Sequence, residues 1–331
     1  MDKRIIFAVA GSGKTTHVVD SLSSNKRSLI VTYTNSNFDN LSEKIINKFE
    51  GNWPHNVTLM TFFQFLYRFC YKPFLSDKIH ACGVIYEQNP YIRAKQSSKS
   101  YYLSSNGYFY SNRLSLFLEK ANVIDDIKSR IETYFDEFII DEVQDIAGRD
   151  FNFLEHLMDA SVNMLFVGDF FQHTYDTSRD GNVNQSLFDD SSAYKARFTN
   201  KGFTIDSETL VNSWRCGKNI CDFVTRSLNI NICSNRCDDT DLNVTFVSDP
   251  MQIALILNDP NIVKLHYWKS SSFGHGHKNW GDTKGEDCYE DVCVILNKST
   301  AKKYSHGKLH ELPPATRNKL YKSSRKRLSC Q

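Results

Sequence analysis

The sequence has little excess charge, no regular cysteine framework, no long apolar run, no internal repeat and no long low-complexity linker. Its 331 residues carry 40 Lys and Arg against 38 Asp and Glu, a net charge of +2. No global basic field therefore draws nucleic acid to the chain, and any such contact must come from local patches. The nine cysteines occur without a signal peptide or a paired spacing, which argues against a disulfide-stapled secreted scaffold. No apolar stretch approaches the ~18 residues of a membrane span, so a reducing, soluble, cytoplasmic setting without a membrane partner is expected. Cys216 and Cys221 with Cys233 and Cys237 do not supply a second correctly spaced ligand pair for zinc. The 40% hydrophobic and 13% aromatic content is enough to build two cores of ordinary size.

What is present organises the chain from its start. Arg4-Ile5-Ile6-Phe7-Ala8-Val9-Ala10-Gly11-Ser12-Gly13-Lys14-Thr15-Thr16 is a short apolar run that breaks into small residues and ends in Gly-Lys-Thr. It reads as a strand, a phosphate loop and the start of a helix. Gly11 and Gly13 let the backbone turn its N–H groups around an anion, the helix adds its positive N-terminal end, and Lys14 reaches the outer phosphates. Thr15 supplies a hydroxyl to Mg²⁺. Ala8 stands where the usual pattern begins with Gly, so the match is complete only from Gly13 onward. The alternative is a small-residue turn that merely precedes Lys14.

Periodicity predicts further strands at Ser28–Asn35 and Val57–Thr61, and helices at Phe38–Phe49 and Phe62–Phe69. This βαβα opening implies a parallel sheet. From about Tyr71 to Gly107 the pattern dissolves into tyrosine-rich polar sequence, and helical periodicity returns over Arg113–Arg130. Phe171–Gly202 reads as irregular. Beyond Asp206, strands are expected at Val244–Val247, Ile262–Tyr267 and Glu290–Leu296, with helices at Ile220–Leu228 and Met251–Leu257; Arg317–Arg327 is strongly basic.

Two apolar strands end in acids, Phe138-Ile139-Ile140-Asp141-Glu142 and Asn163-Met164-Leu165-Phe166-Val167-Gly168-Asp169. Ligands of parallel sheets bind at the carboxyl ends of strands. Hydrolysis of a γ-phosphate needs a metal ligand and a group that orients or deprotonates water. Asp141 is the metal candidate and Glu142 the general base; a surface acid pair is the alternative.

At this point the motifs become specific. The phosphate loop, Thr32-Tyr33-Thr34-Asn35, Asp141-Glu142-Val143-Gln144-Asp145 and Val167-Gly168-Asp169-Phe170-Phe171-Gln172 follow one another in the order seen in UvrD/Rep-like superfamily 1 DNA helicases. Asn212-Ser213-Trp214-Arg215 is similar to their fourth motif, and Lys284-Gly285-Glu286 to their fifth. The chain resembles that family over nearly all its length. The resemblance implies an α/β chain of two RecA-like P-loop NTPase domains with parallel sheets. Domain one spans 1–205 with a small helical insertion at about 71–130; domain two, 206–331, is short or truncated.

It further implies ATP and Mg²⁺ as cofactors, with ATP between the domains. Ala10, Gly11, Ser12, Gly13, Lys14, Thr15 and Thr16 then hold phosphates, with Thr15 and Asp141 at the metal. Trp214 stacks on adenine, Gln172 senses the γ-phosphate, and Glu142, Gln172, Arg215 and Arg325 form the catalytic set. Tyr33, Thr34, Asn35, Thr61 and Lys284 fall where the family meets DNA, and a base stacked on Tyr33 contributes ~1–3 kcal/mol. Core packing is the alternative for Tyr33 and Trp214.

The chain also departs from the family. No glutamine precedes the phosphate loop to read adenine, and Thr177 occupies the position of a DNA-stacking Trp. Leu320-Tyr321-Lys322-Ser323-Ser324-Arg325 is one residue shorter than the family's sixth motif between Tyr321 and Arg325. Arg327 therefore competes with Arg325 as second arginine finger, and a solvated basic tail over Lys322–Arg327 is the alternative to both. The implied activity is an ATP-dependent DNA helicase or translocase moving 3′ to 5′ on single-stranded or partly duplex DNA. A nucleotide-switched DNA- or protein-binding subunit with weak ATPase, such as the partner of a nuclease, is the second reading. A kinase-like P-loop enzyme is disfavoured, because Asp141, Glu142 and Gln172 suit water activation.

Overall fold

The computed structural model describes residues 1–91, 93–173, 182–237, 244–274, 276–280, 291–324 and 327–330. Thr177, Lys284 and Arg325 lie outside the described residues, and so do Gly285 and Glu286 of the fifth motif. The chain divides into two compact units. The first comprises Met1–Phe7, Lys14–Gly168 and Tyr175–Asp206, the second Ala8–Gly13, Asp169–Thr174 and Ser207–Gln331. Among the described residues no helix is long and apolar enough to cross a membrane.

The first unit is built on a six-stranded sheet in the order Val57–Thr61, Ser28–Thr32, Glu137–Asp141, Asn163–Gly168, Lys3–Phe7, Thr204–Asp206. Every pairing is parallel. Parallel strands are covered on both faces, and the central ones accordingly read as continuous apolar runs. Leu29, Ile30, Val31, Phe138, Ile139, Ile140, Phe166 and Val167 are all buried. The register aligns the carboxyl ends, with Phe7 opposite Gly168, Asp141 opposite Val167, and Thr32 opposite both Asp141 and Thr61.

Several expectations are corrected. The helix Asn35–Lys48 begins earlier than Phe38, because the Thr34 side chain caps it by accepting from the Asn37 N–H at 3.2 Å. The helix expected over Phe62–Phe69 runs on to Leu75 through a π-helical segment, Phe65–Tyr71, in which Phe65 stacks on Phe69 and Tyr67 on Tyr71. The tyrosine-rich stretch holds a parallel pair, Gly83–Ile85 with Tyr108–Tyr110. Arg113–Arg130 is two helices, Ser111–Lys120 and Ile124–Tyr134, broken where Asn122 takes φ +56°. Ser191–Thr199 is a helix inside the expected irregular region. Its cap is Asp190, and its Tyr194 and Phe198 rings are buried against Phe7 and Phe151.

The second unit carries a five-stranded sheet in the order Thr245–Phe246, Arg327–Cys330, Asp291–Val294, Val263–His266, His277–Asn279, again wholly parallel. Its core joins Ile220, Val224 and Leu228 of the helix Lys218–Leu228 to Leu265, Trp280, Val292, Val294 and Tyr321. Pro314 opens a helix, Pro314–Ser323, that the basic composition did not signal. Leu320, Tyr321 and Lys322 are buried there, so Lys322 is not part of a solvated tail; Arg325 and Lys326 lie outside the described residues. Both units have the RecA-like α/β character that the resemblance implies, with a helical insertion in the first.

Thr61 ends its strand and caps the next helix in a reciprocal pair, its hydroxyl accepting from the Gln64 N–H at 3.3 Å while Gln64 Oε1 accepts from the Thr61 N–H at 3.1 Å. Thr61→Ala is expected to lower stability by ~0.5–2 kcal/mol, read from urea unfolding, with Thr61→Ser recovering most of it.

Candidate active site

In the first unit, the helix Lys14–Ser21 starts on a buried lysine whose Nζ lies 3.9 Å from Glu142 Oε1. Asp141 ends the neighbouring strand and is buried. Glu142 then takes φ +59°, ψ +49°, a left-handed conformation that a non-glycine residue adopts only where its surroundings hold it. Two contacts do so. Gln144 Nε2 donates to Glu142 Oε2, and the turn Val143–Asp145 packs on Gly168, where an added Cβ would fall 2.8 Å from Val143 Cγ1 and 3.3 Å from its backbone nitrogen. Thr15 is half-buried in the first turn, and the Thr16 hydroxyl accepts from Lys44 Nζ at 2.7 Å.

In the second unit, the segment Ala8–Gly13 turns where the Ser12 N–H and hydroxyl both donate to Val9 O. Gly11 sits at φ +70°, and a Cβ there would meet Arg215 Cβ at 2.5 Å and Ser213 Oγ at 2.9 Å. Glycine is thus required twice over, by conformation and by the close approach of the Arg215 backbone. The Ser213 hydroxyl accepts from the N–H groups of Arg215 and Cys216, and the Trp214 N–H donates to Gly11 O at 2.9 Å. Arg215 follows a strand of two residues, Asn212–Ser213. The Trp214 ring is 67% exposed, so its faces are open to a flat ligand rather than lost in the core.

Gln172 Nε2 donates to Asp169 Oδ2 at 2.7 Å, and the same oxygen accepts from the Tyr321 hydroxyl at 3.2 Å. That hydroxyl accepts in turn from the Ala10 N–H at 3.0 Å. Asn318 Nδ2 reaches His173 O at 3.2 Å, and the Arg317 guanidinium lies 5.3 Å from the Phe171 ring centroid. Tyr321, Ser213, Gln144 and Gly168 hold the candidate residues; the sequence places all four inside its motifs but assigns none of them a supporting role.

Among the expected DNA contacts, Tyr33 is half-buried, stacked on Phe62 at 5.7 Å and edge-on to Phe63 at 5.5 Å. Asn35 is exposed, while the Thr34 and Thr61 hydroxyls serve as helix caps. No group of three or more His, Cys, Asp or Glu side chains among the described residues is placed to hold a metal.

A parallel sheet whose Lys3–Phe7 strand leads through a glycine loop into a helix opening on a buried lysine is a P-loop nucleotide-binding fold. Residues 2–178, more than half of the chain, match the AAA domain family, and the chain belongs to it. No curated protein matches the sequence. Among solved structures, the chain is similar to an arterivirus nonstructural protein 10 (helicase) in complex with DNA, at TM-score 0.48 and 14% identity over 99% of this chain and 59% of that one. It is similar to the PRRSV helicase at TM-score 0.47 and 15% identity over 99% of this chain and 51% of that one. The chain thus spans between half and three-fifths of the length of these helicases.

Two substitutions probe how the site is held. Tyr321→Phe removes the acceptor of the buried Ala10 N–H and is expected to cost ~1–3 kcal/mol in chemical denaturation. Gly168→Ala forces the Val143–Asp145 turn to shift, with an expected loss of ~1–3 kcal/mol from overpacking by the same measurement.

Proposed function

We propose that the chain is a UvrD/Rep-like superfamily 1 motor that hydrolyses ATP to move, 3′ to 5′, along single-stranded DNA. One observation carries the reading: the buried Lys14 lies 3.9 Å from Glu142, so the cation that would face the outer phosphates adjoins the carboxylate that would take the proton of an attacking water. In this reading Gly11, Ser12 and Gly13 turn backbone N–H groups to the phosphates, with Ala10 and Thr16 flanking them. Trp214 offers its exposed face to adenine. Gln172 senses the γ-phosphate, and Arg215, packed on Gly11, serves as the arginine finger.

Mg²⁺ fits the donor set, since Thr15 and Asp141 offer the hard oxygen ligands it prefers and leave positions for water and phosphate. Bound there, it would neutralise charge that develops on the transferred phosphate. Tyr33, next to the exposed Asn35, would meet a DNA base. The helicase–DNA complex among the similar structures accords with a nucleic-acid track.

ATPase assays with and without single-stranded DNA test the reading. Lys14→Ala is expected to abolish turnover. Glu142→Gln should keep nucleotide binding while lowering turnover by ~10²–10⁴-fold, and Arg215→Ala should lower it by ~10³–10⁵-fold. Wild-type turnover in Glu142→Gln would overturn the assignment of the base.

A further inference from the structure

Between Pro260 and Trp280 the sequence has no carboxylate side chain, but it has Lys264, Lys269, Lys278, three histidines and four aromatic residues. The structure gathers part of this set where the strand Val263–His266 of the second unit ends. Trp268 is 67% and Phe273 57% exposed. Full burial of such a ring contributes ~1.5–3 kcal/mol, and both rings forgo most of it. One exposed ring is ordinary on any surface; two on a single turn that is itself held in place are not.

The turn is held by several contacts. Ser270 N–H donates to Asn279 Oδ1 at 3.0 Å, and the Ser272 hydroxyl to Lys269 O at 2.8 Å. Lys269 takes a left-handed φ of +57°, a conformation kept only where the surroundings over-determine it. Beneath the turn, Phe273 stacks on the buried His266 at 4.2 Å and 11°, and His266 Nε2 lies 2.7 Å from His277 Nδ1. Burial, and then the neighbouring His277, holds His266 below the ordinary histidine range. Burial, and then Lys264, does the same to His277. The pair is therefore an uncharged shelf near neutral pH. Lys264 points inward to Asp259 O. Lys269 supplies the outer charge, its Nζ 5.0 Å from the Trp268 ring centroid.

We propose that Trp268 and Phe273 are a base-stacking platform for single-stranded nucleic acid on the second unit, with Lys269 beside them for the phosphates. A turn whose backbone is held before binding loses little conformational freedom on binding. Stacking accepts any base, and a cation in a stretch of sequence that carries no acid suits a polyanion. This platform stands in addition to Tyr33 and rests on the motor reading, which requires a single strand. The absence of acids from residues 260–280 favours nucleic acid over a basic or purely apolar protein surface.

Fluorescence anisotropy of the full chain with labelled oligodeoxythymidine and oligouridine of about 16 nucleotides tests the proposal and separates DNA from RNA. Trp268→Ala and Phe273→Ala are each expected to weaken binding by ~5- to 150-fold with the fold retained by circular dichroism. Trp268→Phe, which keeps a π-face, should retain most of the affinity. Wild-type affinity in both alanine variants would overturn the platform and leave the motor reading standing, as would an equal loss in Trp268→Phe and Trp268→Ala. A wild-type chain that binds neither oligonucleotide would overturn both.

Discussion

A buried ammonium group must be answered by a carboxylate, and much of the first unit follows from that requirement. Lys14 has 8% of its side chain exposed and Glu142 13%, so neither charge is well solvated, and an unpaired charge in that position would be strongly destabilising. The chain brings Glu142 to Lys14 by turning left-handed directly after a buried strand, at a backbone cost of ~1–2 kcal/mol for a residue with a Cβ. Gln144 offsets part of that cost by donating to the same carboxylate. The turn needs a neighbour without a side chain, which the sheet supplies as Gly168. The parallel register supports all of this, because it sets Phe7, Thr32, Asp141 and Gly168 at one end of the sheet.

The strands of the first sheet are legible in the sequence because burial on both faces leaves unbroken apolar runs such as Leu29-Ile30-Val31 and Phe138-Ile139-Ile140. Lys14, Asp141 and Glu142 are legible as candidates for a similar reason: a glycine loop before a lysine and acids at a strand end are local patterns. The helix Ser191–Thr199 is not, since Asp, Ser and Asn around it read as loop while its stability comes from Tyr194 and Phe198 meeting distant rings. Pro314–Ser323 is hidden in the same way, because its lysines and arginine suggest a solvated surface although Leu320 and Tyr321 are core. The residues that hold the site were the least legible. Ser213, Tyr321, Gly168 and Gln144 fall inside the motifs, but the contacts through which they act, such as the Tyr321 hydroxyl on Asp169 and the Ala10 N–H, are not encoded by spacing.

The aromatic turn at Trp268 shows the opposite limit. Its composition was visible, but exposure was not, and a Trp or Phe read from sequence alone belongs by default to a core. Trp280 obeys that default: it is fully buried, with its indole N–H donating to Leu265 O at 2.9 Å. Trp268 lies on the same stretch and is held outward by a hydrogen-bonded turn. Only the three-dimensional arrangement separates the two.

In the second unit, Asp169, Gln172, Tyr321 and the Ala10 N–H form one hydrogen-bonded network. Such a network in a low-dielectric interior is worth most when each member is satisfied, so a rearrangement of Gln172 has to be answered at Asp169, and through Tyr321 at Ala10. The same network bears on the helix Pro314–Ser323. Tyr321 is fully buried and its hydroxyl is engaged on both sides. Rotating its helix by the ~100° that one residue represents would break both bonds and expose the ring. The register of Pro314–Ser323 is therefore set by the tyrosine.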